Sequence, residues 1–190
     1  MENKKYLPIK IVHLILMVAS IVLYAITLIS FSKERPVLNN ISTVANIVAM
    51  TVGIIYLAYG YRKKASLYYK LFMWLFVIST IFQYVAIYQD AVTGPVHITF
   101  IKFITFALVV LLAGAKDYGV VKSNIISLTI IALNIYTLVD SCVAASDVFI
   151  KTGLSVQPLI FTSIGQFVLA STAAFMVCGK YLDKEFRGAK

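Results

Sequence analysis

The chain has 190 residues, 61% hydrophobic and only 13% charged, with mean hydropathy +0.89 and a formal net charge of +9. Soluble domains are nearer half apolar and a quarter charged, so this composition excludes an ordinary water-soluble domain and belongs to the membrane class. The basic residues gather at the ends of apolar stretches rather than in one stripe, which excludes a nucleic-acid-binding reading of the charge.

A membrane-crossing helix needs roughly 20 apolar residues, and six such stretches are found: 9–31, 41–61, 67–88, 96–115, 125–145 and 158–179. The predicted fold is an all-α integral membrane protein, a compact bundle of six transmembrane helices making one membrane domain over 1–190. The first stretch is too long for a secretory leader, and no small-x-small site precedes Lys33-Glu34-Arg35. Its residues His13, Met17, Ser20, Tyr24 and Thr27 recur at three- and four-residue steps and predict an inward face. Ser32 to Asn40 reads as a polar loop with Pro36, its asparagines suited to a helix cap.

In the second stretch Ser42, Asn46, Ala49 and Gly53 form one side, a pattern that lets membrane helices approach closely. It ends in Arg62-Lys63-Lys64. The third opens with the interfacial Tyr68, Tyr69, Lys70 and Trp74. It then places Ser79, Thr80, Gln83, Tyr84 and Tyr88 on one side, with Ile78, Ile81, Phe82 and Val85 on the other. A Gly94-Pro95 turn leads to the fourth, which carries Lys102 near its start. In the fifth, Asn134, Tyr136, Thr137, Asp140 and Ser141 are read as an inward arc opposite Leu128, Ile131, Ile135, Leu138 and Val139. The sixth has Ser163, Gln166, Ala170 and Ala174 in a close-packing row, followed by a polar tail from Lys180 to Lys190.

Thirteen Lys and Arg residues fall at the N-terminus, in the second and fourth loops and in the tail, against four on the other side: Lys33, Arg35, Lys102 and Lys151. That asymmetry predicts a plasma-membrane protein with both termini cytoplasmic. Prolines 36, 95 and 158 at the returning helices, and glycines 60, 114 and 179 at their ends, echo one another. Three tandem two-helix hairpins explain the echo, and turn chemistry repeated by chance explains it nearly as well.

Measured from the span ends, Asn46, Gln83, Lys102 and Asp140 form one layer roughly 8 Å below the outer surface, with Asn134 near mid-membrane. Ionisable groups at such depth are costly in lipid and face a bundle interior or a watery cavity. One reading is an outward-facing site that binds or transports a small polar solute. Asp140 and Lys102 meet its charges there, Gln83, Asn46 and Asn134 its hydrogen bonds, and Tyr84, Tyr88 and Tyr136 its faces. The other is a non-transporting interaction or assembly protein whose polar residues serve only its own helices, with Lys102 and Asp140 as a buried pair. The lipid bilayer is the expected partner in both, with a solute or other membrane subunits added.

No enzyme is read here. No HExxH, GxSxG or paired-carboxylate motif is present, His13 and His97 belong to opposite sides, and no phosphate loop, cofactor motif or metal-ligand cluster is found. Cys142 and Cys178 read as packing residues near opposite ends of their spans, too far apart to pair. In size, span number and placement of the polar layer, the chain resembles the substrate-binding subunits of energy-coupling-factor vitamin transporters, without a shared motif. The resemblance implies a solute site toward the outer face and a coupling partner. That family has small residues four apart early in its first span, where this chain has the bulky run Ile11 to Met17, His13 apart. The hairpin echo is also similar to that of small six-helix proteins of the acid-resistance type, again without a matching motif.

Overall fold

The computed structural model describes residues 7–33, 35, 37–59, 65–90, 96–114, 119–152 and 157–187. Within these, side chains are described except at 59, 65–69, 83–84, 86–90, 96–99, 102, 112–114, 119–123, 148, 152 and 177–187. The described residues form six helices and no strand: α1 (Leu7–Phe31), α2 (Val37–Tyr59), α3 (Ala65–Asp90), α4 (Val96–Gly114), α5 (Gly119–Thr152) and α6 (Gln157–Arg187). Pro8 and Pro158 lie in the first turns of α1 and α6, where a proline's fixed φ and missing N–H are tolerated; Pro36 and Pro95 lie outside the described residues.

Four helices are long and apolar enough to cross a membrane among the described residues: Leu7–Phe31, Val37–Ala58, Asn124–Lys151 and Gln157–Met176. A shorter apolar run, Lys70–Phe82, lies on α3. α1, α3 and α4 keep to the expected limits within two residues. The other three are longer than their apolar stretches, because helix continues into polar flanks that periodicity of apolar residues does not register. α2 begins at Val37, so Asn39 and Asn40 lie inside the helix rather than in a preceding loop. Asn40 still ties the two helices together, donating from Nδ2 to the Ser32 carbonyl at 2.8 Å. α5 extends beyond its expected limits at both ends, and the backbone of α6 is helical to Arg187 where a tail was expected.

Each helix packs on the next in sequence, and α6 closes the ring against α1 while also touching α2 and α3. The closest pairs are α2 with α3 and α5 with α6; α1 with α2 and α3 with α4 pack less extensively. Packing therefore does not follow three equal hairpins. The buried core is supplied mostly by α1, α2, α3 and α6: Met17 and Tyr24; Ala49, Met50 and Leu57; Phe72, Met73, Phe76 and Val77; and Val168 to Ala170, Ala173 and Met176. α4 and α5 add one residue each, Val109 and Ile130. They are the peripheral helices of the bundle.

Small residues fix how closely the central helices meet. A Cβ at Gly53 stands 3.0 Å from two ring carbons of Phe72 and 3.2 Å from the Met17 sulfur. At Gly165 it overlaps the Tyr24 ring. The expected row Ser42, Asn46, Ala49 and Gly53 is buried as a whole. So is the α1 face Met17, Ser20, Tyr24 and Thr27, whereas His13, further along that face, is half-buried. His13 stacks on Phe175 with ring centroids 4.7 Å apart, and its Nδ1 lies 2.9 Å from the Ile9 carbonyl.

Candidate functional site

The polar centre of the bundle is built on α1, α2 and α3 and rests on α6. The face of α1 that must be buried carries Tyr24, and the small-residue face of α2 carries Asn46 one helix away. Asn46 Nδ2 donates to the Tyr24 hydroxyl at 3.1 Å, and Ser79 on α3 donates to Asn46 Oδ1. Ser42, one turn before Asn46, donates to the Ser79 carbonyl at 3.3 Å. The Tyr24 hydroxyl donates in turn to the Thr162 carbonyl of α6 at 3.4 Å. All four side chains are buried. Asn46 thus uses its donor and its acceptor on neighbouring helices, so this cluster is filled from within the protein.

Toward the start of α2, Arg35 Nη1 donates to Thr43 Oγ1 at 3.2 Å, and Thr43 donates onward to the Asn39 carbonyl at 2.7 Å. Burial pushes the Arg35 guanidinium below the usual arginine range, with Tyr24 acting in the opposite direction.

α5 behaves differently. Asn134 Nδ2 donates to the Ile130 carbonyl at 2.8 Å, Thr137 to the Asn134 carbonyl at 3.0 Å and Ser141 to the Thr137 carbonyl at 2.7 Å. These side chains satisfy themselves on their own helix, a local alternative to cross-helix bonding. Tyr136, expected on the inward arc, is 48% exposed. The reason is rotational: the buried side of α5 is set by Ser127, Ile130 and Ala145, and Tyr136 lies off that line. Asp140 is half-buried, and neither it nor Tyr136 has a hydrogen-bond or ion-pair partner among the described residues.

The side chains of Gln83, Tyr84, Tyr88 and Lys102 lie outside the described residues; their helices α3 and α4 are in contact with each other, and α4 with α5. The extended helices change the depth argument. Lys102 is six residues after Val96, Gln83 seven before Asp90, Asn46 nine after Val37 and Asp140 twelve before Thr152. Helix ends therefore do not set these groups at one height. A different set of polar atoms stands out: Ser127 Oγ, Gln166 Nε2, Thr172 Oγ1 and Asn40 Oδ1 are buried without a hydrogen-bond partner among the described residues.

No known protein family, curated protein or solved structure matches this chain. The functional reading rests on the geometry alone. Among the described residues no group of three His, Cys, Asp or Glu side chains gathers as a metal site, and Cys142 is exposed as a free thiol.

Two features escaped the residue patterns. The spacing puts Tyr24 on an inward face and Ser79 on the polar side of its helix, but their bonding to Asn46 depends on which helices are neighbours, and periodicity carries no such information. The second is a line of polar residues on the exposed side of α5. At 100° per residue, Thr129, Tyr136, Asp140 and Asp147 fall within a strip about 40° wide. Their spacing of seven, four and seven was available in the sequence. Polar residues do not all turn inward on this helix, so spacing alone does not tell which side the strip faces.

Proposed function

We propose that this chain is a six-span protein of the cell membrane, with both termini cytoplasmic, that works as an interaction or assembly protein within the bilayer. The observation that carries the reading is the division of polar groups. Those in the centre, Tyr24, Asn46, Ser79 and Ser42, are bonded to one another or to helix carbonyls. Those without a partner among the described residues, Tyr136 and Asp140, sit toward the outer side of α5. Lipid offers neither donor nor acceptor at that depth, so such groups are satisfied by another protein surface.

The test is the mass of the complex that the tagged protein forms in native membranes, measured after mild solubilisation. A species larger than one chain that Asp140→Ala reduces to a single chain, with unchanged thermal stability of the bundle, supports the reading. A single chain in every preparation overturns it.

A second reading, binding or transport of a small polar solute, is favoured by the unpartnered Ser127, Gln166 and Thr172 atoms on α5 and α6. Buried polar atoms in native proteins are nearly always bonded, to protein, water or ligand. In this reading Asp140, Lys102, Gln83, Asn46, Asn134, Tyr84, Tyr88 and Tyr136 remain the ligand candidates. Of the four whose side chains are described, Asp140 alone is unbonded and partly buried. A rise in melting temperature with solute concentration is the expected sign. Co-purification of an ATPase and a second membrane subunit would make the chain the substrate-binding part of an energy-coupling-factor-type transporter.

A further inference from the structure

α5 is the least buried of the four long apolar helices, with 11% of its apolar window buried against 44% for α6. Its exposed side has two unlike edges. One is free of charge and mostly apolar: Leu128, Ile135, Cys142 and Phe149, with Ser146 in line with Leu128, all exposed. The other is the strip of Thr129, Tyr136, Asp140 and Asp147, with Ala132 and Ala144 exposed beside it. Thr129 is bonded to the Ile125 carbonyl of its own helix at 2.9 Å, but Tyr136 and Asp140 have no partner among the described residues. Both lie near the middle of Asn124–Lys151, too deep for side chains of their length to reach water.

Within the strip Tyr136 and Asp140 form a self-complementary pair, while Asp147, one turn from the Lys151 end of the apolar helix, keeps its charge within reach of water. Asp140 as a carboxylate only accepts, and the Tyr136 phenol one turn away can donate. All copies of a membrane protein insert in the same orientation, so two copies side by side are parallel, and equal residues lie at equal depth. A two-fold axis along the membrane normal brings residue i to residue j and, by the same operation, j to i. Four residues rise about 6 Å along the helix, a distance the Tyr136 side chain spans. The alanines beside the strip allow close approach of two backbones.

We propose that α5 is the interface of a parallel homodimer in the membrane, in which Tyr136 of each copy donates to Asp140 of the other. The inference rests on the membrane-assembly reading above and names its partner as a second copy of this chain. The apolar edge with Cys142 is left to lipid.

Disulfide crosslinking in native membranes tests it, with Cys142 and Cys178 replaced by serine. Ala132→Cys and Val143→Cys lie beside the strip. Ile135→Cys lies about 120° from its centre, on the apolar edge. Oxidation is expected to give a product of twice the chain mass at the first two positions, at least about five-fold more than at Ile135→Cys. Tyr136→Phe removes two symmetry-related bonds and is expected to lower the dimer fraction about ten-fold at limiting concentration. Equal crosslinking on both edges, no dimer, or a product of another mass overturns the proposal; the last marks a different partner. Alkaline carbonate extraction of the same membranes separates the two levels. Release of the protein means that the membrane reading has failed, whereas retention without a strip-specific dimer means that only the second copy is wrong.

Discussion

At the residue scale, Asn46 is the side chain on which most depends. It accepts from Ser79 and donates to Tyr24, so its loss leaves two buried hydroxyls on different helices short of a partner. Leaving such groups unsatisfied costs about 1–3 kcal/mol in water-soluble proteins, and cross-helix bonds in membrane proteins average somewhat less. Asn46→Ala is therefore expected to destabilise the bundle by about 1–2 kcal/mol in a detergent unfolding titration. The loss should be non-additive with Ser79→Ala, because either change breaks the same bond. Additive losses would mean that the bond contributes nothing. Gly165 offers a second, steric test. A methyl group there meets the buried Tyr24 ring, whereas at Gly53 it meets the Phe72 ring at a longer distance and the flexible Met17 thioether. Gly165→Ala is expected to cost about 1–3 kcal/mol and Gly53→Ala clearly less. Tyr24→Leu in the Gly165→Ala background should return part of the loss. If Gly53→Ala proves the costlier change, the close approach of Tyr24 to α6 is not what limits residue 165.

At the element scale, the inward faces of α1 and α2 were legible because both helices are apolar almost throughout. Against that background, polar and small residues at three- and four-residue steps mark the interior, and Met17, Ser20, Tyr24, Ser42, Asn46 and Gly53 obey that rule. α5 does not. Its buried line is Ser127, Ile130 and Ala145, and its polar strip lies toward the exposed side, so the same rule turns Tyr136 the wrong way. Lengths were legible only as far as hydropathy reaches, since α5 and α6 continue as helix into polar flanks. Sequential helices do pack together, as chain order leads one to expect, but the contacts of α6 with α1, α2 and α3 were not legible. The central place of α6 has a testable consequence: Ala170, Ala173 and Ala174 are buried among several helices, whereas Leu159 near its start is exposed. Ala173→Leu is expected to destabilise by about 1–3 kcal/mol through overpacking. Leu159→Ala should stay within about 0.5 kcal/mol, since an exposed side chain loses little packing when shortened. Equal effects at the two positions would place α6 at the rim instead of the centre.

At the scale of the whole molecule, the number of crossings decides what every other placement means. Four helices satisfy length and apolarity among the described residues, and α3 and α4 lie between the second and third of them. Four crossings and six crossings both leave the two termini on one side, so reporters fused to the ends do not distinguish them. The connection between Asp90 and Val96 does. With six crossings it is outside; with four, α3 and α4 remain on the cytoplasmic side together with that connection. Charge argues for six. Arg62, Lys63 and Lys64 precede α3 and Lys116 follows α4, whereas residues 91–95 contain no basic residue at all. The basic side is thus separated from this connection by one helix in each direction, the pattern that insertion imposes on short loops. α3 also contributes Phe72, Met73, Phe76 and Val77 to the same core as α1, α2 and α6, so it lies beside three helices long and apolar enough to cross. A single cysteine at Thr93, with Cys142 and Cys178 replaced by serine, is therefore expected to react with an impermeant maleimide in intact cells. A cysteine at Ala115 should react only after permeabilisation. The opposite labelling at Thr93, with Ala115 unchanged, would put α3 and α4 outside the bilayer. It would take Gln83, Tyr84, Tyr88 and Lys102 out of any intramembrane site, while leaving α5 and its polar strip where they are.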